Sequence, residues 1–218
     1  MSLKRFLKSN SILVVVCFLL ISCKDERKPL PYFNTPDFTP YFIGNEDEVN
    51  QKITHRIADF NFIDQNNLPI TQKSIEGKIH VANFFFTACG SICPSTMSNL
   101  SKVSNTFMHD SSIVVLSYTV TPWIDGVTRL KQYALGNKVS DINWHLLTGD
   151  KAKIYDLARK SYFAEEEIGF SKDSSDFLHT EHFILVDKHK RIRGIYNGTL
   201  QLEADLLITD INLLKQEE

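Results

Sequence analysis

Two nearly continuous apolar runs, Ile79 to Phe86 and Ile113 to Val120, constrain the fold of this 218-residue chain more than any other feature. Neither shows the polar–apolar alternation of a half-exposed strand, so each reads as a strand covered on both faces. Between them, Met97, Leu100, Val103 and Phe107 fall on one helical stripe. Two buried strands joined through a helix predict a parallel pair. Right-handed crossovers then place helices on both faces of the sheet.

The remaining segments fit that plan. Asp59-Phe60-Asn61-Phe62-Ile63-Asp64 alternates like a strand and is followed by a Gln65-Asn66-Asn67 turn. Leu130, Tyr133 and Ala134 mark a helix after the second buried strand. Trp144 to Leu147 is a short third strand, and Ile154, Leu157 and Ala158 mark the helix behind it. Residues 161–178 are polar and irregular, and a loop that long in a compact domain is often functional. Phe183 to Val186 and Ile192 to Tyr196 are the arms of a hairpin around Asp187-Lys188-His189-Lys190, and Leu206 to Leu214 closes the chain as a helix. Parallel strands first and an antiparallel pair last make an α/β protein. The order matches a thioredoxin-like three-layer α/β/α sandwich with a mixed sheet and an N-terminal extension. Its 15 Phe residues supply large core side chains. A domain of this size buries roughly 70% of its unfolded surface, so it needs no disulfide merely to stay folded.

The N-terminus has a different character. Lys4, Arg5 and Lys8 precede an apolar stretch, Ile12 to Ile21, of signal-peptide length, which is short for a spanning helix. It ends in Leu20-Ile21-Ser22-Cys23, which resembles a bacterial lipobox whose cysteine is acylated. Residues 1–22 are therefore expected to be a lipoprotein signal peptide, 23–54 a lipidated tether and N-terminal extension, and 55–218 the folded domain. Charged residues 24–28 and Pro29, Pro31, Pro36 and Pro40 give the tether its character, and Tyr32, Phe33, Phe38, Tyr41 and Phe42 are expected to pack on the domain. The protein is expected to be exported and anchored by lipid to a bacterial membrane, facing the periplasm. Lys24-Asp25-Glu26 also resembles a surface-export tag of Bacteroidetes lipoproteins, which keeps the outer surface open as a location. With three of 24 basic groups lost to the signal, 21 remain against 26 acidic ones, a net charge of −5. That balance offers no electrostatic footprint for nucleic acid.

Of four cysteines, Cys17 leaves with the signal and Cys23 would carry lipid, so Cys89 and Cys93 are the thiols that remain. They stand where a buried strand ends and a helix begins, in Phe84-Phe85-Phe86-Thr87-Ala88-Cys89-Gly90-Ser91-Ile92-Cys93-Pro94. Ligands of open α/β sheets bind at the carboxyl ends of strands. A helix N-terminus favours thiolate over thiol. Such a pair is a redox couple, a staple or a soft-metal site. A staple closing so short a loop stabilises little. Three intervening residues, rather than the two of a thioredoxin redox motif, suit two thiolates converging on a third atom. Soft thiolates select Cu(I), zinc or iron–sulfur, and the last two want more ligands than two cysteines provide.

Seven histidines are present, and His179 and His182 flank the entry to the Phe183–Val186 strand. The run from Phe86 to Pro94 resembles the aromatic-Thr-x-Cys-x-x-x-Cys-Pro signature of the SCO/SenC family. In that family a His stands eight residues before the Asp that ends the next strand, and His179 to Asp187 keeps that count. Thr121-Pro122-Trp123-Ile124-Asp125 resembles the family's Asp-Pro-x-x-Asp run, with Thr121 in place of the first acid, and Leu147-Thr148-Gly149-Asp150 matches another family segment. Gly90-Ser91-Ile92 departs from the usual filling between the cysteines. No Pro stands near Glu181, where thioredoxins place one to engage substrate disulfides.

The resemblance implies a copper protein with Cys89, Cys93 and His179 as ligands, holding Cu(I) or Cu(II). It implies a metallochaperone rather than an enzyme. The expected role is copper delivery to, or thiol maturation of, the dinuclear copper centre of cytochrome c oxidase. The partners it implies are the oxidase's copper-bearing subunit or other copper proteins, with the membrane reached through the lipid on Cys23. The alternative is a thiol–disulfide oxidoreductase in which Cys89 attacks and Cys93 resolves.

Overall fold

The computed structural model describes residues 29–88, 90, 93–140, 142–164 and 180–217. Its strands are β1 (Tyr32–Phe33), β2 (Pro40–Tyr41), β3 (Asn61–Asp64), β4 (Pro69–Thr71), β5 (Ile79–Phe85), β6 (Ile113–Thr119), β7 (Trp144–Thr148), β8 (His182–Val186) and β9 (Ile192–Asn197). The helices are α1 (Glu46–Lys52), α2 (Cys93–Thr106), α3 (Val127–Gly136), α4 (Lys151–Asp156) and α5 (Gln201–Glu217). One mixed sheet runs β2-β1-β9-β8-β5-β6-β7-β3-β4. β5, β6 and β7 are parallel, while β8 runs antiparallel to both β5 and β9. This is the thioredoxin-like arrangement expected from the order of segments.

The two apolar runs behave as their lack of alternation requires. Every residue of β5 and of β6 is buried. Ala82, Phe84, Leu116 and Tyr118 enter one apolar cluster, and Val81, Phe85, Ile113 and Val115 enter the other. The period of two thus sorts side chains between two cores. α2, α3 and α5 cover the second core through Met97, Leu100, Leu130, Ala134, Leu207 and Ile211. α4 covers the first through Ile154 and Tyr155, helped by Phe60 and Phe62. Asn83 and Ser117 interrupt the apolar runs at no cost in orphaned groups. Ser117 Oγ donates to Asn83 Oδ1 at 2.5 Å and accepts from Trp144 Nε1 at 2.8 Å. Bonds of this kind let polar atoms sit in a sheet core.

Three local details differ from the sequence expectation. The polar stretch set at 161–178 begins inside the core: Ser161, Tyr162, Phe163 and Ala164 are all buried. The reason is a π-helical turn, Leu157–Ser161, that continues α4 and swings the chain inward. Residues 165–178 lie outside the described residues. The tether does more than pack its aromatics. β1 joins the sheet through Phe33 opposite Ile192, and α1 follows, capped by Asn45 accepting from Asp47 N at 2.9 Å. Phe42, counted among the packing aromatics, is instead 63% exposed.

Candidate metal centre

β5 delivers the chain to the cysteine turn, and α2 carries it away. Cys93 is the first residue of α2 and is buried, in the same apolar cluster as Phe85 of β5 and Phe183 of β8. Thr96 Oγ1 donates to the Cys93 carbonyl at 2.9 Å. Pro94 follows in the first turn, where its missing N–H leaves no gap. Cys89 and His179, expected beside Cys93 as ligands, lie outside the described residues, as does Cys23. Among the described residues no group of three or more His, Cys, Asp or Glu side chains could hold a metal ion.

What holds Thr87, where the chain leaves β5, is a buried carboxylate. Asp125 is fully buried in the loop after β6. Its Oδ2 accepts from Thr87 N at 3.1 Å, Thr119 Oγ1 at 2.6 Å and Thr121 Oγ1 at 2.9 Å. Its Oδ1 accepts from Thr87 Oγ1 at 2.5 Å and lies 3.3 Å from Arg129 Nε, which also donates to Thr87 Oγ1 at 2.5 Å. A buried charge is tolerable only when paired and hydrogen-bonded, and here both conditions are met. Thr87 stands two residues before Cys89, so this cluster fixes the approach to the first cysteine. It also explains the departure at Thr121: in place of an acid, its hydroxyl donates to the one carboxylate of the cluster. Thr119 and Arg129 were not singled out in the sequence. The available signal was spacing. Thr119 and Thr121 stand two apart where β6 ends, and Asp125 stands four residues before Arg129, the first just ahead of α3 and the second inside it.

A second set of bonds ties the cysteine helix to the β8 entry, where His179 leads in. Asn99 Nδ2, on α2, donates to the Gly198 carbonyl at 2.8 Å, and Gly198 N donates to the Glu181 carbonyl at 2.8 Å. Gly198 is required here by close approach, since a Cβ would lie 2.6 Å from that carbonyl and 2.6 Å from the Phe183 ring. Next to it, His182 N donates to Thr180 Oγ1 at 3.2 Å, and the same hydroxyl lies 3.1 Å from His182 Nδ1. His182 is thus occupied locally. The backbone two residues beyond His179 is therefore bonded, through Gly198, to the helix that Cys93 opens.

A buried thiol at the mouth of the helix that follows the central strand marks a thioredoxin-fold thiol protein. Residues 48–214 match the SCO1/SenC family, and the chain belongs to that family. Among its relatives, the SCO1 protein homolog of Bacillus subtilis is 25% identical over 166 residues, 75% of this chain and 85% of the relative. BsSco, described as a Sco-family cytochrome c oxidase assembly protein with a disulfide switch, superposes with a TM-score of 0.63 at 25% identity, covering 75% of this chain and 95% of its own. ScoI of Bradyrhizobium japonicum, solved with copper bound, gives 0.57 at 25% identity, covering 72% and 98%.

Proposed function

We propose that this protein binds one copper ion as cargo through Cys89, Cys93 and His179, and passes it to the copper-bearing subunit of cytochrome c oxidase or another copper protein. The observation that carries this reading is the placement of Cys93. It opens α2 at the carboxyl end of β5, in a family whose Bradyrhizobium member is solved with copper bound. The donor set fits the metal: two thiolates and one imidazole suit copper's soft-ligand preference. The bonds from Asn99 through Gly198 to Glu181 support convergence of the His179 segment on the cysteine helix. Oxidation of Cys89 and Cys93 to a disulfide would remove two ligands and make loading depend on redox state, in keeping with the switch described for BsSco. Export with a signal at 1–22, lipid on Cys23, a tether and extension to residue 54, and a periplasm-facing domain complete the proposal. Among the described residues no helix is long and apolar enough to cross a membrane.

Equilibrium dialysis against copper tests the reading. Reduced protein is expected to retain about one ion per chain and disulfide-oxidised protein essentially none. Equal retention by the two forms contradicts it. The second reading, a thiol–disulfide oxidoreductase, is favoured by the close cysteine pair. Its signature is rapid insulin reduction that His179→Ala leaves unchanged.

A further inference from the structure

At the end of the sheet opposite the cysteine turn, the N-terminal extension and the β8–β9 hairpin enclose a cavity of about 370 Å³, lined by Pro29, Tyr32, Glu46, Lys188, Arg191 and Arg193 among others. Two buried guanidinium groups face it and are treated very differently. Arg193, 3% exposed, is fully answered. Glu217 Oε2 lies 2.6 Å from its Nη2, Asp187 Oδ2 lies 3.6 Å from its Nη1, and the carbonyls of Leu30 and Pro31 accept at 2.8 and 3.1 Å. Among the described residues, no carboxylate lies within ion-pair reach of the guanidinium of Arg191, which is 5% exposed. Its Nη2 donates to the neutral Asn50 Oδ1 at 2.6 Å, and its Nε has no partner among the described residues.

The surroundings sharpen the imbalance. Of the three acids lining the cavity, Glu217 and Asp187 are spent on Arg193 and Glu46 is exposed to solvent, and Asp187 Oδ1 also accepts from the backbone of His189 and Arg191 at 2.9 Å each. Arg56 stands close enough that, after burial, the Arg191 charge is the next cause lowering its guanidinium pKa. A buried cation without a counter-charge is costly, and a bound anion relieves that cost. The planar fork of arginine matches tetrahedral oxyanions.

We propose that this cavity is a phosphate-binding site with Arg191 as its principal donor. Two sources share that chemistry: free inorganic phosphate and the phosphodiester of a phospholipid headgroup. Position favours the headgroup. Pro29 lines the cavity and follows Cys23 by six residues, a span of at most about 20 Å when extended. That argument alone rests on the proposed lipid anchor. A bound headgroup would fix how the domain stands on its membrane.

The test uses the full chain in maltoside micelles, which contain no phosphate, titrated with inorganic phosphate by calorimetry. Saturable binding is expected, weakened about tenfold or more by Arg191→Gln, as loss of a charged donor predicts. No binding at millimolar phosphate, or equal binding by Arg191→Gln, overturns the site. Should that variant fail to fold, Lys188→Gln takes its place, with weaker binding expected and unchanged binding contradicting the proposal. Repeating the titration in phosphatidylglycerol nanodiscs separates the sources. A headgroup already in place weakens free phosphate about tenfold or more by competition, whereas equal affinity in both media assigns the free anion. Copper retention in the same samples reports independently on Cys89, Cys93 and His179.

Discussion

Asp125 and His80 are both titratable, fully buried side chains, yet the chain accommodates them in opposite ways. Asp125 sits at the cysteine end, surrounded by three threonine hydroxyls, one backbone N–H and Arg129. His80 sits in β5 inside the far core. Its Nε2 lies 3.0 Å from Tyr162 Oη, which lies 3.2 Å from Tyr118 Oη, and its Nδ1 has no partner among the described residues. Burial lowers the His80 pKa to about 3, so the ring is neutral, and burial raises the Tyr162 hydroxyl above its usual value. The carboxylate stands where the chain leaving β5 must be held in one geometry. In the interior a neutral chain of hydrogen-bonding groups suffices.

The comparison breaks most decisively at Asp125. Asp125→Ala orphans its donors and leaves Arg129 without its buried partner. A loss of about 3–5 kcal/mol in urea unfolding is expected, with weaker copper retention. Asp125→Asn, which keeps shape and some acceptors, should cost visibly less. Equal costs for the two would mean the charge is irrelevant. Next in size is Gly198→Ala, where the new methyl meets the Glu181 carbonyl and the Phe183 ring. About 1–3 kcal/mol of destabilisation is expected, with copper affinity falling in parallel as the His179 segment shifts. Unaltered copper affinity in a destabilised Gly198→Ala protein would sever the link between β9 and the metal site.

The smallest effect at neutral pH belongs to His80→Gln. Its value lies in the sign of a slope. The folded ring resists protonation down to about pH 3, while the unfolded ring takes a proton below about 6.5. The unfolded state therefore binds more protons in that window. Stability is full above about pH 6.5 and falls as pH drops, by up to about 1.4 kcal/mol per pH unit. His80→Gln should remove that share of the acid slope in thermal melts between pH 6.5 and 4. An unchanged slope would show that the ring is not shielded.

Much of this was legible because burial on both faces leaves a plain mark. Ile79–Phe86 and Ile113–Val120 announced the central strands, and Met97, Leu100, Val103 and Phe107 are all buried as their stripe required. Two-residue strands such as β1 and β2 carry no period to detect. Tyr162 and Phe163 were hidden in a polar stretch because a π turn, which has no sequence period of its own, redirects them inward. At the site, Cys93 could be read from its place between strand and helix. The role of Asp125 as an acceptor depends on Thr87, 38 positions away, and such pairings appear only once β5 and β6 lie side by side.

Copper binding as proposed requires an imidazole to complete the thiolate pair. Paramagnetic resonance and charge-transfer absorbance of the reduced protein titrated with Cu(II) address this directly, with His179→Ala in parallel. The expected result is a thiolate-ligated spectrum with nitrogen coupling in the parent protein, and loss of both that coupling and most of the affinity in the variant. A His179→Ala protein with the parent's spectrum and affinity would contradict the assignment and leave Cys89 and Cys93 as a dithiol alone.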